Sequence, residues 1–273
     1  MFATLRQGRY LALLAVGVVL AVGCAVAGVW QADRYGEKRT ANAELRHNEA
    51  GSAVPVDSVL AVDRMVGPAA RFRLVAATGR YDVGGQVLVR RREVDRRLGF
   101  LVLTPLRTSG GAWLLVVRGF VPATGAATQT PAVPDPPAGP VTITGRVQPS
   151  EPGVQRAGLP PGQVERIDVP ALAARPGGPT SGGPVYGGYV ELVSASPPDS
   201  RLTPVPPPDL SNPAGGAFEG QHLAYVVQWF FFALLALALP VVLAVLDRRA
   251  AADHGGARGA IVAVEDRQAT TAP

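Results

Sequence analysis

Two uncharged apolar runs lie near opposite ends of this chain and constrain it more than any other feature. Leu11–Val29 holds no charged side chain and is followed by Trp30 and Gln31; Val226–Leu246 holds none either, with Gln228 and Trp229 near its start. A hydrocarbon layer roughly 30 Å thick takes about 20 apolar helical residues, so each run is long enough to span one. No third such run lies between them. The pattern predicts an α+β membrane protein, with two terminal transmembrane helices flanking an extracytoplasmic, mainly antiparallel β domain. In chain order this divides into a cytoplasmic N-terminus over 1–10, a first transmembrane helix over 11–29 and a β-rich domain with Pro/Gly-rich loops over 30–225. A second transmembrane helix over 226–246 and a cytoplasmic tail without regular structure over 247–273 complete it.

Charge supports the same topology. The net charge of +5 invites a nucleic-acid reading, but no zinc-finger or RNA-binding signature accompanies the scattered arginines. Arg6 and Arg9 precede the first run, and Arg248, Arg249 and Arg258 follow the second. Basic residues favour the cytoplasmic side, so a cell-membrane protein with both ends inside is expected. Arg34, Lys38 and Arg39 run against that rule, with Asp33 and Glu37 among them. The one cysteine, Cys24, excludes an intramolecular disulfide, and the core must hold the domain unaided. Ala21–Cys24 loosely resembles a lipoprotein cleavage site, but the chain stays apolar to Val29. A packing thiol inside the first span is the reading that fits.

The first span is expected to continue as one helix towards Glu44 and Leu45, since no proline interrupts it. Beyond it, strands are predicted over 71–81, 86–91, 99–106, 111–121, 140–147 and 185–192. Asp82–Gly85 and Ser109–Gly111 carry the glycines of short turns, which join their flanking strands as antiparallel hairpins. Near-continuous apolar runs such as Leu114–Val117 imply a sheet covered on both faces, or a partly closed barrel. The stretches 122–140 and 197–220 are crowded with Pro, Gly, Ala and Ser and read as loops, the second as a mobile connector.

Most catalytic chemistry is missing. No Cys-x-x-Cys, His-Glu-x-x-His, Gly-x-Ser-x-Gly or phosphate-cradling glycine loop is present, and only His47, His222 and His254 supply imidazoles. Glu191 and Asp199 read as isolated acids with no pairing logic. A non-enzymatic protein is expected. The arginines at 90–92 and 96–97 sit on a hairpin; they suit a solvated turn, with anionic lipid headgroups or a haem propionate as the other reading.

One constellation remains. His222, Tyr225 and Trp229 fall at i, i+3 and i+7, within about 60° on one face of a helix opening the second span. Spacing alone also suits an interfacial His with belt aromatics. On the first span, Trp30, Arg34 and Glu37 share a face, where an interfacial Trp and an ordinary ion pair suffice.

Resemblance adds to this reading. Gly28-Val29-Trp30-Gln31, with Arg34 and Lys38, resembles the opening signature of the SURF1 family of cytochrome c oxidase assembly factors. Gly79-Arg80-Tyr81-Asp82, Gly99-Phe100 with Thr104-Pro105-Leu106, and Leu115–Pro122 are similar to its central blocks in order and spacing. His222-Leu223-Ala224-Tyr225 with Gln228-Trp229-Phe230 resembles its closing block; Phe120 stands where Trp is more usual. The resemblance implies assistance in handling haem a or inserting it into the oxidase catalytic subunit, alongside the machinery that makes or inserts that haem. It makes His222 the candidate iron ligand, with Tyr225, Trp229 and Trp30 packing a porphyrin and Arg34 pairing a propionate. A membrane-anchored scaffold that orders oxidase subunits without binding haem is the alternative.

Overall fold

A computed structural model describes residues 8–123, 130–154, 156, 158–175, 180, 183–199 and 201–269, with backbone alone from 251 to 269. Arg6, the middle of the 122–140 loop and the side chains of His254 and Arg258 fall outside that description. The chain divides into two units, Met1–Arg39 with Gly215–Pro273, and Thr40–Ala214.

Two helices make the first unit. Helix α1 spans Gly8–Ala50, its C-terminal part belonging to the second unit, and α3, the last of three α-helices among the described residues, spans Glu219–Ala269. As expected, α1 continues past its apolar run as one helix. Both are long and apolar enough to cross a membrane. Within this unit they pack antiparallel, and glycines set how closely. A Cβ added at Gly17 would come within 2.5 Å of the Ala236 carbonyl oxygen, and one at Gly28 within 3.0 Å of the Phe230 ring. Tyr10, Gly17, Ala21 and Gly28 are buried at a heptad-like spacing, which keeps one stripe of α1 on its partner. Near one end Arg9 and Tyr10 donate to Asp247; at the other Lys38 donates to the Gly215 carbonyl. Cys24 is half-buried with a free thiol.

Helix α3 passes the point at which the sequence predicts regular structure to end. Residues 250–269 are helical.

Eight strands form the second unit: β1 (Val54–Pro55), β2 (Leu74–Tyr81), β3 (Val87–Val94), β4 (Arg97–Thr108), β5 (Trp113–Pro122), β6 (Val141–Pro149), β7 (Gln163–Val164) and β8 (Val185–Ser196). A five-residue helix, α2 (Val169–Ala173), starts on an Asp168 cap. The sheet order is β1-β2-β6-β8-β5-β4-β3-β7, and a further β2–β4 pairing joins β2, β6, β8, β5 and β4 into a closed ring. All five strands send side chains to one cluster inside it, among them Val75, Leu106, Leu114, Ile143 and Val190. The opposite face of β3, β4, β5 and β8 carries a second cluster, roofed by Val164, Val169 and Leu172. Strand β5 therefore feeds two cores, Leu114 and Val116 into the ring and Trp113, Leu115 and Val117 out of it. Both alternatives read from the apolar runs hold at once: the sheet is covered on both faces and part of it is a barrel.

Two local features close the ring. Pro105 sits where β4 leaves β3 and takes up β2, between Leu103↔Val87 and Leu106↔Tyr81, so its missing N–H costs no ladder bond. A bulge in β5 leaves Arg118 unpaired between Val117↔Leu103 and Gly119↔Val102. The extra residue reverses the alternation, and Phe120 rejoins the face of Trp113.

The sheet is mixed but, as expected, mainly antiparallel: β2–β4, β2–β6, β3–β4, β4–β5 and β6–β8 all run antiparallel. β1–β2, β3–β7 and β5–β8 are parallel. The long connection from β5 through β6 and α2 to β8 permits that orientation, which short turns do not. Nor do β2 and β3 form a hairpin. Asp82 caps a 3₁₀ turn over Val83–Gly85, accepting from the Gly84 N–H, and the chain turns a corner. The hairpin between β3 and β4 is real, with positive φ at Asp95 and Arg96, as is that between β4 and β5 at Gly111.

Candidate functional site

His222 lies in the first turn of α3, whose N-terminus is organised by Gln221, its side chain accepting from the Phe218 N–H at 3.0 Å. The imidazole is half-buried and contacts α1: Nδ1 lies 2.9 Å from Gln31 Oε1. A carboxamide oxygen only accepts, so Nδ1 is the donor in this contact and Nε2 is the ring nitrogen left facing away from it. The Gln31 hydrogen bond fixes the orientation of the imidazole ring.

The other residues singled out by sequence lie on the same two helices. Trp30 adjoins Gln31 and is 54% exposed; Tyr225, one turn past His222, is 48% exposed. Trp229 is half-buried and meets Phe232 edge to face at 6.2 Å. Arg34 donates to Glu37 at 2.8 Å and lies 5.7 Å from the Trp30 ring centroid. Helical geometry turns Trp30 and Arg34 about 60–100° to one side of Gln31, and Tyr225 about 60° to one side of His222. Because the helices are antiparallel, these are the same side of the pair. Arg34 does not stand ready for an anion, since Glu37 already holds it.

These residues fit a haem in donor chemistry: one oriented imidazole, with flat aromatic surface on the flank beside it. Among the described residues no group of three or more His, Cys, Asp or Glu could hold a metal ion. Gln31 was noted only as a flank of the first span. Its heptad offset from Gly17 and Gly28 is the signal that places it at the helix contact.

Charges in the β unit are paired where the sequence suggests isolation. Asp199, read as a lone acid, accepts from Arg118 through both oxygens, at 2.6 and 3.1 Å, and both side chains are 0% exposed. The guanidinium also donates to Gln86 and the Pro134 carbonyl. Glu191, the other lone acid, accepts from Gln148 and lies 3.8 Å from Arg146, whose guanidinium grips Glu49 with two bonds. Burial pushes Glu191 above the usual carboxylate range despite those partners. Burial also raises Glu151, but Arg92, the Ile167 N–H and the Tyr189 hydroxyl outweigh it and hold the carboxyl low. Tyr186, buried and donating to Asp57, is pushed up to about 12. The arginine run is therefore divided: Arg92 binds Glu151 and Arg91 lies 3.6 Å from Glu165, while Arg96 and Arg97 stay exposed. The connector expected to be mobile is held at several points within this unit. Arg118 grips Asp199, Thr203 pairs with Phe120, and Arg46 donates to the Leu210 and Ser211 carbonyls.

Comparison with known proteins follows the same span of chain. A sequence profile described as the SURF1 family matches residues 18–234. An uncharacterized SURF1-like protein of Mycobacterium bovis is 33% identical over 240 residues, covering 85% of this chain and 82% of its own. Uncharacterized SURF1-like proteins from two Mycobacterium tuberculosis strains match at the same identity and coverage.

Proposed function

The chain belongs to the SURF1 family, and from that premise we propose that it is a membrane-anchored, non-enzymatic assembly factor for a haem-copper oxidase. Haem a is its cargo, destined for the oxidase catalytic subunit, and the proteins that make or insert that haem are its working partners. Helices α1 and α3 cross the cell membrane with both termini cytoplasmic and the β unit outside. The uncovered apolar side chains along both helices, such as Val19, Val22, Leu234 and Leu239, support this reading, because lipid is the solvent that suits them. The basic residues beyond both runs orient it.

The observation that carries the cargo reading is the His222–Gln31 hydrogen bond. His222 would hold iron through Nε2, Gln31 would fix the ring, and Tyr225, Trp229 and Trp30 would cover the macrocycle. Arg34 would meet a propionate only by leaving Glu37. A titration of the purified full-length chain with haem a tests this. His222→Ala is expected to abolish the ligand-dependent Soret shift, and Gln31→Leu to weaken affinity about 10–100-fold. An unchanged spectrum and affinity in His222→Ala would remove the ligand assignment.

A specific observation also favours a scaffold that orders oxidase subunits without haem. Among the described residues the barrel interior is filled by its own side chains, so the ring encloses no ligand chamber and its outer surface is what it presents to other subunits. On that reading neither substitution changes oxidase assembly.

A further inference from the structure

The pairing that closes the barrel places two cations face to face. Only three residue pairs join β2 to β4: Gly79↔Thr108, Arg80↔Arg107 and Tyr81↔Leu106. Directly opposite residues of an antiparallel pair share a face, with Cβ atoms about 4.5–5.5 Å apart, and like charges there are destabilising. Arginine keeps its charge throughout the working pH range. Among the described residues, neither Arg80 nor Arg107 has a carboxylate within ion-pair distance. This contrasts with Arg118 and Arg146 of the same unit, each of which is gripped by a carboxylate.

A cavity of about 310 Å³ opens over this pair, lined by Thr78, Gly79, Arg80, Arg107, Ser109 and Pro140. Its floor is rigid. Ser109 donates to the Thr78 carbonyl from both its N–H and its hydroxyl, and Thr78 and Thr142 share a hydroxyl bond at 3.0 Å. Arg107 is steadied from behind by the Trp113 ring, 5.0 Å from its guanidinium, and Arg80 and Arg107 are both exposed at the mouth. Recognition therefore rests on two guanidinium forks rather than on the hydroxyls.

We propose that this cavity binds a phosphate-type oxyanion, whose charge offsets the Arg80–Arg107 repulsion at the barrel seam. Two planar forks suit the several oxygens of a phosphate, each taking parallel hydrogen bonds. The cavity lies at the small end of organic-ligand pockets and leaves room for a short substituent on the phosphate, as in a glycerophosphate. That chemistry exists both as a free phosphomonoester and as the headgroup of an anionic phospholipid. The site is independent of the haem reading, and neither arginine belongs to the His222 constellation.

The test uses the full-length chain. In uncharged detergent, glycerol 3-phosphate is expected to raise the unfolding midpoint saturably, where glycerol does not. In nanodiscs, phosphatidylglycerol is expected to do so relative to phosphatidylcholine if the headgroup is the physiological form. Protection by the soluble probe alone assigns a free phosphomonoester, and protection by the lipid alone assigns the headgroup. Arg107→Gln should weaken the response at least tenfold. Arg80→Glu should raise the ligand-free midpoint, by replacing repulsion with an ion pair, and should abolish the response. Arg80→Gln repeats the binding test without adding a charge, should the first substitution perturb folding. No protection by either probe, or an Arg80→Gln chain that responds like wild type, would overturn the site.

Discussion

Glu151 and Glu191 are carboxylates of one β unit driven in opposite directions. Glu151 is half-buried, yet Arg92 and its two further donors hold it below the ordinary value of about 4.3. Its stabilising contribution is present above that value and is lost as pH falls through its lower folded value. Burial raises Glu191, so its contribution runs the other way, fully present below about 4.3 and lost as pH rises through its higher folded value. Glu151→Gln is therefore expected to lower the unfolding midpoint at pH 7, and Glu191→Gln to hold or raise it. Both differences should shrink as the pH approaches 4. Paired thermal scans of the full-length chain at pH 7 and pH 4 check this, and a Glu191→Gln chain that is much weaker at pH 7 would contradict it. Such pairings were not legible in the sequence. Glu191 meets Gln148 and Arg146 across strands whose order no local pattern encodes, and Asp199, in the segment after β8, meets Arg118 on β5.

Among the elements, the apolar runs and their flanks were legible because length and period are local properties. So were the six longer strands, whose ends fell within a few residues of the observed ones. The two-residue strands β1 and β7 and the helix α2 escaped, being too short to show a period, although Asp168 before Val169-Pro170 is a readable cap signal. The Asp82–Gly85 turn misled because its glycines suit a hairpin, while Asp82 accepting from the Gly84 N–H favours a 3₁₀ corner. The helix contact was hidden in two glycines that composition treats alike. Gly17 faces the Ala236 carbonyl oxygen, whereas Gly23 has open space around it. Gly17→Leu should destabilise the helix pair by about 1–3 kcal/mol, as overpacking does, and Gly23→Leu by much less. Unfolding of both variants in a denaturing detergent titration measures the difference; equal effects would mean that α1 and α3 do not meet at Gly17.

At the scale of the whole molecule, a β unit whose chain enters and leaves through long apolar helices was legible from hydropathy alone. The ring closure was not. It depends on β4 changing partners at Pro105 and on β8 lying parallel to β5, both set by contacts distant in sequence. The His222 constellation was half legible: the sequence marks one face of α3, and the structure adds Gln31 from the other helix. The proposed assembly role would be exercised by the intact chain in a membrane, so the decisive measurement is made there. Membranes from a strain lacking this protein, alone or complemented with wild type or His222→Ala, would be assayed for haem a content and terminal oxidase activity. Loss of both in the deletion strain, restored by wild type and not by His222→Ala, is the expected result. Full oxidase activity and haem a content in a deletion strain with no second copy would contradict the assembly role itself.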